Sequence, residues 1–180
     1  MIVSSPTFTG AYGKIANQMG AVMVDVPLTP ETFEYPVDEV LSAITDKTRL
    51  IMVCNPNNPT DTVIPVDKID KLMQNIPDHV LVVADEVYHH FVDDPAYPNS
   101  IQYVMQNKNI VVIHTFSKAY GMAGMRLGYG IAKPELADYI AGLHRGFHQN
   151  KLSIAAGIAA CGDQDYLNYV IDYIRKERDW

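Results

Sequence analysis

The sequence predicts an α/β protein with a mostly parallel sheet sandwiched by helices. Short apolar runs rich in β-branched residues alternate with amphipathic stretches along most of the chain. The runs are apolar on both faces, which is typical of parallel strands covered on both sides. Proline stands before several amphipathic stretches and glycine follows another, as at helix entries and exits. Such alternation is typical of βαβ units packed into layers.

The elements follow from these patterns. Strands are predicted at Ile2–Ser4, Ala21–Val26, Arg49–Cys54, His79–Ala84, Ile110–His114 and Tyr129–Ala132. Helices are predicted at Thr9–Met19, Val37–Ile44, Val66–Gln74, Ser100–Gln106, Pro134–His144, Leu152–Cys161 and Asp165–Trp180. We interpret residues 1–146 as a ligand-binding core and 147–180 as a helical segment leading into a truncated smaller domain. Both ends of the chain are expected to be cuts through a longer protein.

Composition narrows the class of protein. Hydrophobic residues make up 48% of the 180 residues, which excludes a disordered tail, and the formal net charge is -7. That charge argues against nucleic acid or an anionic membrane as the main partner. No apolar run approaches the roughly 20 residues that span a bilayer, and the N-terminus lacks a secretory pattern. Cys54 ends an apolar strand, and a buried, reduced thiol there suits the cytoplasm.

Lys118 stands in a glycine-rich stretch directly after the predicted strand Ile110–His114. Thr115 and Ser117 precede it, and Arg126 follows eight residues on. Amines take part in carbonyl chemistry when burial or a neighbouring cation frees the lone pair. Guanidinium groups and hydroxyls suit a phosphate. Pyridoxal phosphate, an aldehyde carrying a phosphate, satisfies both halves of this cluster, although a Ser-Lys pair alone is weak because most lysines are solvated.

Three further clusters follow predicted strands. The loop Asn55–Thr60 contains two prolines that stiffen the turn and hold Asn58 outward, yet asparagine and proline are common in any turn. Asp85 could pair with a ligand or cap the next segment, and Tyr88 could share its face. Phe8 could cover a flat ring, or belong to the core. Together the clusters fit one ligand, because strands of such a sheet end at a common edge.

Metal and nucleotide sites are less well supported. Adjacent side chains such as His89 and His90 point to opposite sides if the chain is extended there. His144 and His148 have helical spacing but no evident third ligand. No Gly-x-Gly-x-x-Gly or Walker-type loop is present in the sequence. We therefore predict no metal and no nucleotide cofactor.

These motifs resemble the class I/II aminotransferases of the fold-type I pyridoxal-phosphate superfamily. The resemblance is carried by Asn55–Thr60, by Asp85–Tyr88 (Asp-Glu-Val-Tyr) and by a Ser-Lys pair followed by Arg-x-Gly. It covers essentially the whole chain, and the spacing is most similar to the histidinol-phosphate and aromatic aminotransferase branch. The resemblance implies the large-domain fold of that superfamily, pyridoxal 5'-phosphate as cofactor, an amino acid and a 2-oxo acid as substrates, and a homodimer.

The resemblance also implies the site residues. The catalytic residues are expected to be Lys118, Asp85 and Tyr88. The cofactor-binding residues are expected to be Phe8, Asn58, Asp85, Tyr88, Thr115, Ser117, Lys118 and Arg126.

Each of these residues has an implied role. Lys118 would carry the cofactor as an internal aldimine and move a proton between substrate and cofactor. Asp85 would pair with the pyridine nitrogen, and Asn58 and Tyr88 with the ring oxygen. Arg126 and the hydroxyls before the lysine would hold the phosphate.

The sequence departs from the family pattern at Asp61, where the family usually has glycine. A positive φ there would cost aspartate about 1 kcal/mol. The family's upstream phosphate-binding turn and its C-terminal small domain are not in this sequence. A catalytically incomplete cofactor-binding fragment, or another reaction such as decarboxylation or β-elimination, therefore remains an alternative. We expect the chain alone to be weak or inactive.

Overall fold

A computed structural model describes residues 1–143 and 149–178, without the side chains of residues 9 and 10. Its centre is a six-stranded sheet in the order β2-β1-β3-β4-β5-β6. The first five strands are parallel and β6 runs antiparallel to β5. The strands are β1 (Ile2–Val3), β2 (Val24–Asp25), β3 (Leu50–Cys54), β4 (Leu81–Asp85), β5 (Ile110–Thr115) and β6 (Gly128–Ala132). The predicted fold class, α/β with a mostly parallel sheet, is confirmed.

Each predicted helix has its counterpart in the structure. They are α1 (Thr9–Gln18), α2 (Val37–Ser42), α3 (Val66–Asn75), α4 (Ile101–Met105), α5 (Pro134–Leu143), α6 (Lys151–Gly162) and α7 (Gln164–Arg178). The proposed domain boundary after residue 146, the end of one predicted helix at His144 and the end of another at Trp180 lie outside the described residues. Within the described ranges, none of these helices has the length and apolarity that a bilayer crossing requires.

Helix α3 illustrates how local sequence sets an element. Pro65 precedes its first residue and Asp67 lies in its first turn, where a negative charge suits the helix dipole. Ile69, Leu72 and Met73 are buried along one face, at the i, i+3, i+4 spacing of an amphipathic helix. These side chains join the core that covers the parallel strands. The helix therefore shares one hydrophobic core with β3 and β4.

The loop between β5 and β6 is packed against the last two helices. Ser153 Oγ on α6 donates a hydrogen bond to the Met125 carbonyl at 2.6 Å. Gly157 on α6 lies against Leu127 so closely that an added Cβ would meet its Cδ2 atom at 2.4 Å. At the start of α7, Tyr166 approaches Gly121, whose φ of 65° also favours glycine. Helices α6 and α7 thus shape the loop that carries the predicted lysine.

One local expectation is wrong. The segment after Tyr88 is not extended but forms a short 3-10 turn at His89–Phe91. Because of that turn, the rings of His89 and His90 do not point to opposite sides, and their centroids lie 3.8 Å apart. Within the described ranges, no group of three or more His, Cys, Asp or Glu side chains could hold a metal ion.

Candidate active site

The carboxyl ends of the central strands meet at one edge of the sheet. In the strand register, Cys54 of β3 is opposite Asp85 of β4, and Asp85 is opposite Ile113 of β5. The residues that follow these strands therefore enter the same region of space. This is the edge at which parallel α/β sheets bind their ligands.

A cavity of about 270 Å³ opens at this edge. It is lined by Phe8, Cys54, Asn58, Asp85, Val87, Tyr88, Thr115, Ser117, Lys118 and Arg126. The eight residues predicted to bind a cofactor are all in this set, and so are the three predicted to be catalytic. Cys54 and Val87 were not foreseen. The structure therefore brings the predicted residues together, whereas their roles toward a cofactor stay a prediction.

The amine and the phenol meet on one side of the cavity. Lys118 Nζ lies 4.8 Å from the centre of the Tyr88 ring. Asn58 Nδ2 lies 3.3 Å from the Tyr88 hydroxyl, within hydrogen-bond distance. An amide and a phenol at one point can both bind the same oxygen of a ligand.

The lysine loop is held by its own hydroxyl and backbone groups. Thr115 Oγ1 accepts from the Ser117 N–H at 3.1 Å and donates to the Leu127 carbonyl at 3.3 Å. Arg126 has a left-handed backbone with φ 52°, and its Nη1 donates to the Ala123 carbonyl at 2.9 Å. A non-glycine residue in that region is uncommon and is often found at functional sites. The Thr115 hydroxyl as placed supports the loop that presents Lys118.

Asp85 has a partner that the sequence did not suggest. The Tyr12 hydroxyl on α1 donates to Asp85 Oδ2 at 2.6 Å. The other oxygen, Oδ1, is buried and has no hydrogen-bond partner in the described part of the chain. Burial first, and then the charge of Asp85, raise the pKa of Tyr12 far above its ordinary value. The sequence indicates only that Tyr12, one helical turn after Phe8, shares its face of the helix.

The asparagine loop is tied to the rest of the edge. Asn55 exchanges hydrogen bonds with the backbone of Ile64, donating at 3.1 Å and accepting at 2.9 Å. Asn57 Nδ2 donates to the Pro6 carbonyl at 2.8 Å, which connects the loop to the segment before Phe8. Asp61 has φ 56°, as the glycine expected at this position would allow. The suspicion that aspartate sits in a left-handed turn is therefore confirmed.

Behind Asp85, on the other side of the strand, lies a buried polar cluster. His114 Nε2 is 3.0 Å from Glu86 Oε2, and its Nδ1 is 3.1 Å from the Tyr129 hydroxyl. His114 therefore bridges Glu86 and Tyr129, with one ring nitrogen directed at each side chain. His114 and Glu86 are 6% and 4% exposed and so are buried, whereas Tyr129 is 44% exposed and reaches the surface.

Two more histidines stack on this cluster. The His89 ring lies 3.9 Å from that of His114 and close to parallel with it, and His89 Nδ1 is 2.7 Å from the Glu86 carbonyl. His90 packs on His89 and meets Tyr120 edge-on. Burial lowers the pKa of His89, and burial followed by the neighbouring histidines lowers the pKa of His90 to about 4. Both rings are therefore neutral at neutral pH.

The fold and the site together define a class: an α/β protein with an amine, a carboxylate and a guanidinium around one small cavity at the carboxyl edge. A family model described as aminotransferase class I and II matches residues 1–179. The chain belongs to this family.

Relatives and solved structures agree with the family match. The chain is 43% identical over 159 residues to an aromatic amino acid aminotransferase of Mycolicibacterium vanbaalenii, covering 88% of this chain and 45% of the relative. It is 32% identical over 179 residues to a histidinol-phosphate aminotransferase of Caldicellulosiruptor saccharolyticus, covering 99% and 49%. A histidinol-phosphate aminotransferase from Sinorhizobium meliloti, solved with pyridoxal-5'-phosphate, is 28% identical with a TM-score of 0.91, covering 99% and 48%. The chain spans about half the length of these relatives.

The family uses pyridoxal phosphate as its cofactor, and the residues of this chain fit that group. The buried Asp85 Oδ1 lacks a partner in the described residues, and a protonated ring nitrogen would supply one. The exposed Arg126 guanidinium and the Ser117 hydroxyl are donors suited to a phosphate. The Lys118 amine is at the same cavity and suits an aldehyde. Each part of the cofactor thus has a matching group.

Proposed function

We propose that this chain is the cofactor-binding part of a pyridoxal-phosphate-dependent aminotransferase, which moves an amino group between an amino acid and a 2-oxo acid. The observation that supports it best is the convergence of Lys118 and Asp85 on one cavity of about 270 Å³. When bound, the cofactor supplies an electron-poor ring that takes up the electron pair left when the amino acid loses its Cα proton. The residues of the chain bind the group, orient it and move the proton.

Lys118 has two tasks in this proposal. Its amine would hold the cofactor through the aldehyde group. As a base, the same amine would take up the Cα proton of the amino acid and return it on the cofactor side. The Tyr88 ring, 4.8 Å from Nζ, limits where the amine can move.

The other residues hold the ring in place. Asp85 would accept a hydrogen bond from the protonated ring nitrogen and so favour the positive ring. Asn58 and Tyr88 would bind the ring oxygen, and Phe8 would cover the ring face. Arg126 would pair with the phosphate and so help to position the cofactor relative to Lys118.

The proposal is tested by chemical trapping. The chain is incubated with pyridoxal phosphate, reduced with borohydride, digested and examined by mass spectrometry. We expect the added mass on Lys118, and its loss in Lys118→Ala. Lys47→Ala, which removes another exposed lysine, serves as the matched control and should label as the wild type does. Equal labelling of Lys118→Ala and wild type would contradict the proposal.

Reaction type requires a second measurement. The loaded chain is given an aromatic amino acid or histidinol phosphate, the compounds in the relatives' names, together with a 2-oxo acid. Formation of a new amino acid supports transamination, whereas release of carbon dioxide or ammonia supports decarboxylation or elimination on the same cofactor. Schiff-base formation at Lys118 without any product supports the alternative of an incomplete cofactor-binding fragment.

The proposal includes a homodimer in the cytoplasm. Large apolar side chains near the chain's start are exposed: Ile15 by 60%, Met19 by 79% and Val22 by 76%. Exposed apolar surface of this kind is typical of a protein contact. Sedimentation of the purified chain measures its oligomeric state, and a monomer at all concentrations would contradict this part of the proposal.

A further inference from the structure

We propose that Tyr12 is a positioning residue for Asp85, holding one carboxylate oxygen so that the second remains the acceptor for the ring nitrogen of the cofactor. The inference rests on the proposed function, because it concerns how the ring is held. Tyr12 touches Asp85 and acts through it.

The geometry of the carboxylate carries the inference. Tyr12 Oη lies 2.6 Å from Asp85 Oδ2, a short contact of the kind made by charge-assisted hydrogen bonds. Asp85 Oδ1 is buried with no partner in the described ranges. Because both oxygens belong to one planar group, a hydrogen bond to Oδ2 also fixes the direction of Oδ1. A carboxylate held in this way needs no reorientation when a ligand arrives.

Tyr12 is itself held firmly in place. It is 8% exposed, and its ring meets that of Phe8 edge-on at a centroid distance of 6.1 Å. The two residues are one helical turn apart at the start of α1. A single turn of helix therefore brings both the aromatic expected over the ring face and the phenol that holds Asp85.

The surrounding groups keep the phenol protonated. Burial, and after it the charge of Asp85, raise the pKa of Tyr12 far above its ordinary value. Burial likewise raises the pKa of the Cys54 thiol beside them, so it adds no charge. The other charged groups that line the cavity are Lys118 and Arg126. The Tyr12 hydroxyl therefore acts as a donor throughout the working pH range.

The test compares two tyrosine-to-phenylalanine variants that each remove a phenol-to-carboxylate hydrogen bond. Tyr12→Phe removes the bond to Asp85. Tyr103→Phe removes a bond of 2.7 Å to Asp70 from a side chain that is 2% exposed and lines no part of the cavity. Urea unfolding of both variants measures the structural cost, which should be similar. Pyridoxal phosphate carrying ¹⁵N at the ring nitrogen is then titrated into each protein.

Tyr12→Phe should bind pyridoxal phosphate about tenfold more weakly, the effect of one hydrogen bond to a charged group. Its ¹⁵N signal should show that the ring nitrogen loses its proton at a lower pH than in wild type. Tyr103→Phe should match wild type in both readouts. Unchanged affinity and an unchanged ¹⁵N titration in Tyr12→Phe would overturn the inference alone. If wild type forms no borohydride-fixed adduct on Lys118, the proposed function and this inference both fail.

Discussion

Asp85 and Glu86 are adjacent carboxylates at the end of β4, and their surroundings are opposite. Asp85 lines the cavity and accepts from Tyr12, whereas Glu86 is 4% exposed and pairs with His114. In each, one oxygen is bonded and the other has no partner among the described residues. Successive side chains of a strand point to opposite faces. Asp85, the last residue of β4, therefore lines the cavity, and Glu86, the next residue, is buried in the protein.

Asp85 and Glu86 should therefore differ in whether they support ligand binding or folding stability. A carboxylate at an open cavity has room for a ligand, so its removal should affect binding more than folding. A buried carboxylate such as Glu86 contacts only protein neighbours, so its removal should affect folding more than binding. Substitution of Asp85 should therefore change ligand affinity more than the free energy of unfolding, and substitution of Glu86 should do the reverse.

The largest effect on stability is expected for Glu86→Ala. Removing this carboxylate leaves the buried His114 without the partner of its Nε2 atom. Leaving a buried hydrogen-bond donor without its acceptor costs about 1–3 kcal/mol. Urea unfolding should show this decrease in the free energy of unfolding, and circular dichroism should show the same fold. A decrease below about 1 kcal/mol, the range of ordinary surface changes, would contradict the contrast.

Asp85→Asn should show the reverse. An amide in place of the carboxylate keeps the size of the side chain, so unfolding should change by less than about 1 kcal/mol. The charge that would bind the ring nitrogen is lost, and a hydrogen bond to a charged group is worth about 1.5–3 kcal/mol. Absorbance titration should show pyridoxal phosphate affinity falling by about 10- to 100-fold. Equal affinity of wild type and Asp85→Asn for pyridoxal phosphate would show that Asp85 does not bind the cofactor.

Acid should lower the folding stability of the protein through His89 and His90, which stack on the cluster of His114 and Glu86. Their folded-state pKa values are lowered, that of His90 to about 4 from an ordinary 6.5. The unfolded chain therefore binds more protons between these values, and stability is lost as the pH falls through that window. Because His90 is half-buried, solvent screening limits its contribution to this loss of stability to about 1 kcal/mol.

Urea unfolding at pH 7 and pH 5 measures this loss. The groups facing the two histidines are Glu86, His114 and Tyr120. His90→Asn should flatten the dependence, since asparagine does not titrate here. A variant with the same slope as wild type would show that His90 is not responsible.

The smallest effect is expected at Asp61, a third carboxylate, directly after the Asn55–Thr60 loop. Its φ of 56° suits glycine better than aspartate. Asp61→Gly should raise the free energy of unfolding by about 0.5–1 kcal/mol. Thr62→Gly, next to it but without the positive φ, is the control and should destabilise.

Much of the site was predictable because its residues follow strands directly. Asn58, Asp85 and Lys118 each come within a few positions of a strand end, and parallel strands bring those ends together. The helix and strand patterns likewise placed the described α-helices and strands to within a few residues, but they missed the 3-10 turn at His89–Phe91. Local sequence is sufficient for such features, since they depend on the spacing of apolar residues and on proline and glycine at the ends of helices.

Contacts that depend on tertiary packing were not predictable. Tyr12 on α1 reaches Asp85, which is 73 residues away in sequence. The pairing of Glu86 with His114 depends on β4 and β5 being neighbours in one register. The pattern of a strand specifies its faces but not the strand beside it. The antiparallel direction of β6 has the same origin.

The close fit of Gly157 against Leu127 has a consequence for how this protein tolerates change. A methyl group at position 157 would overlap a leucine methyl, whereas a smaller residue at position 127 would make room for it. The two positions should therefore be coupled: Gly157→Ala should be harmful alone and milder in combination with Leu127→Ala. Helix α6 would then limit which sequences are tolerated in the loop between β5 and β6, which carries Lys118.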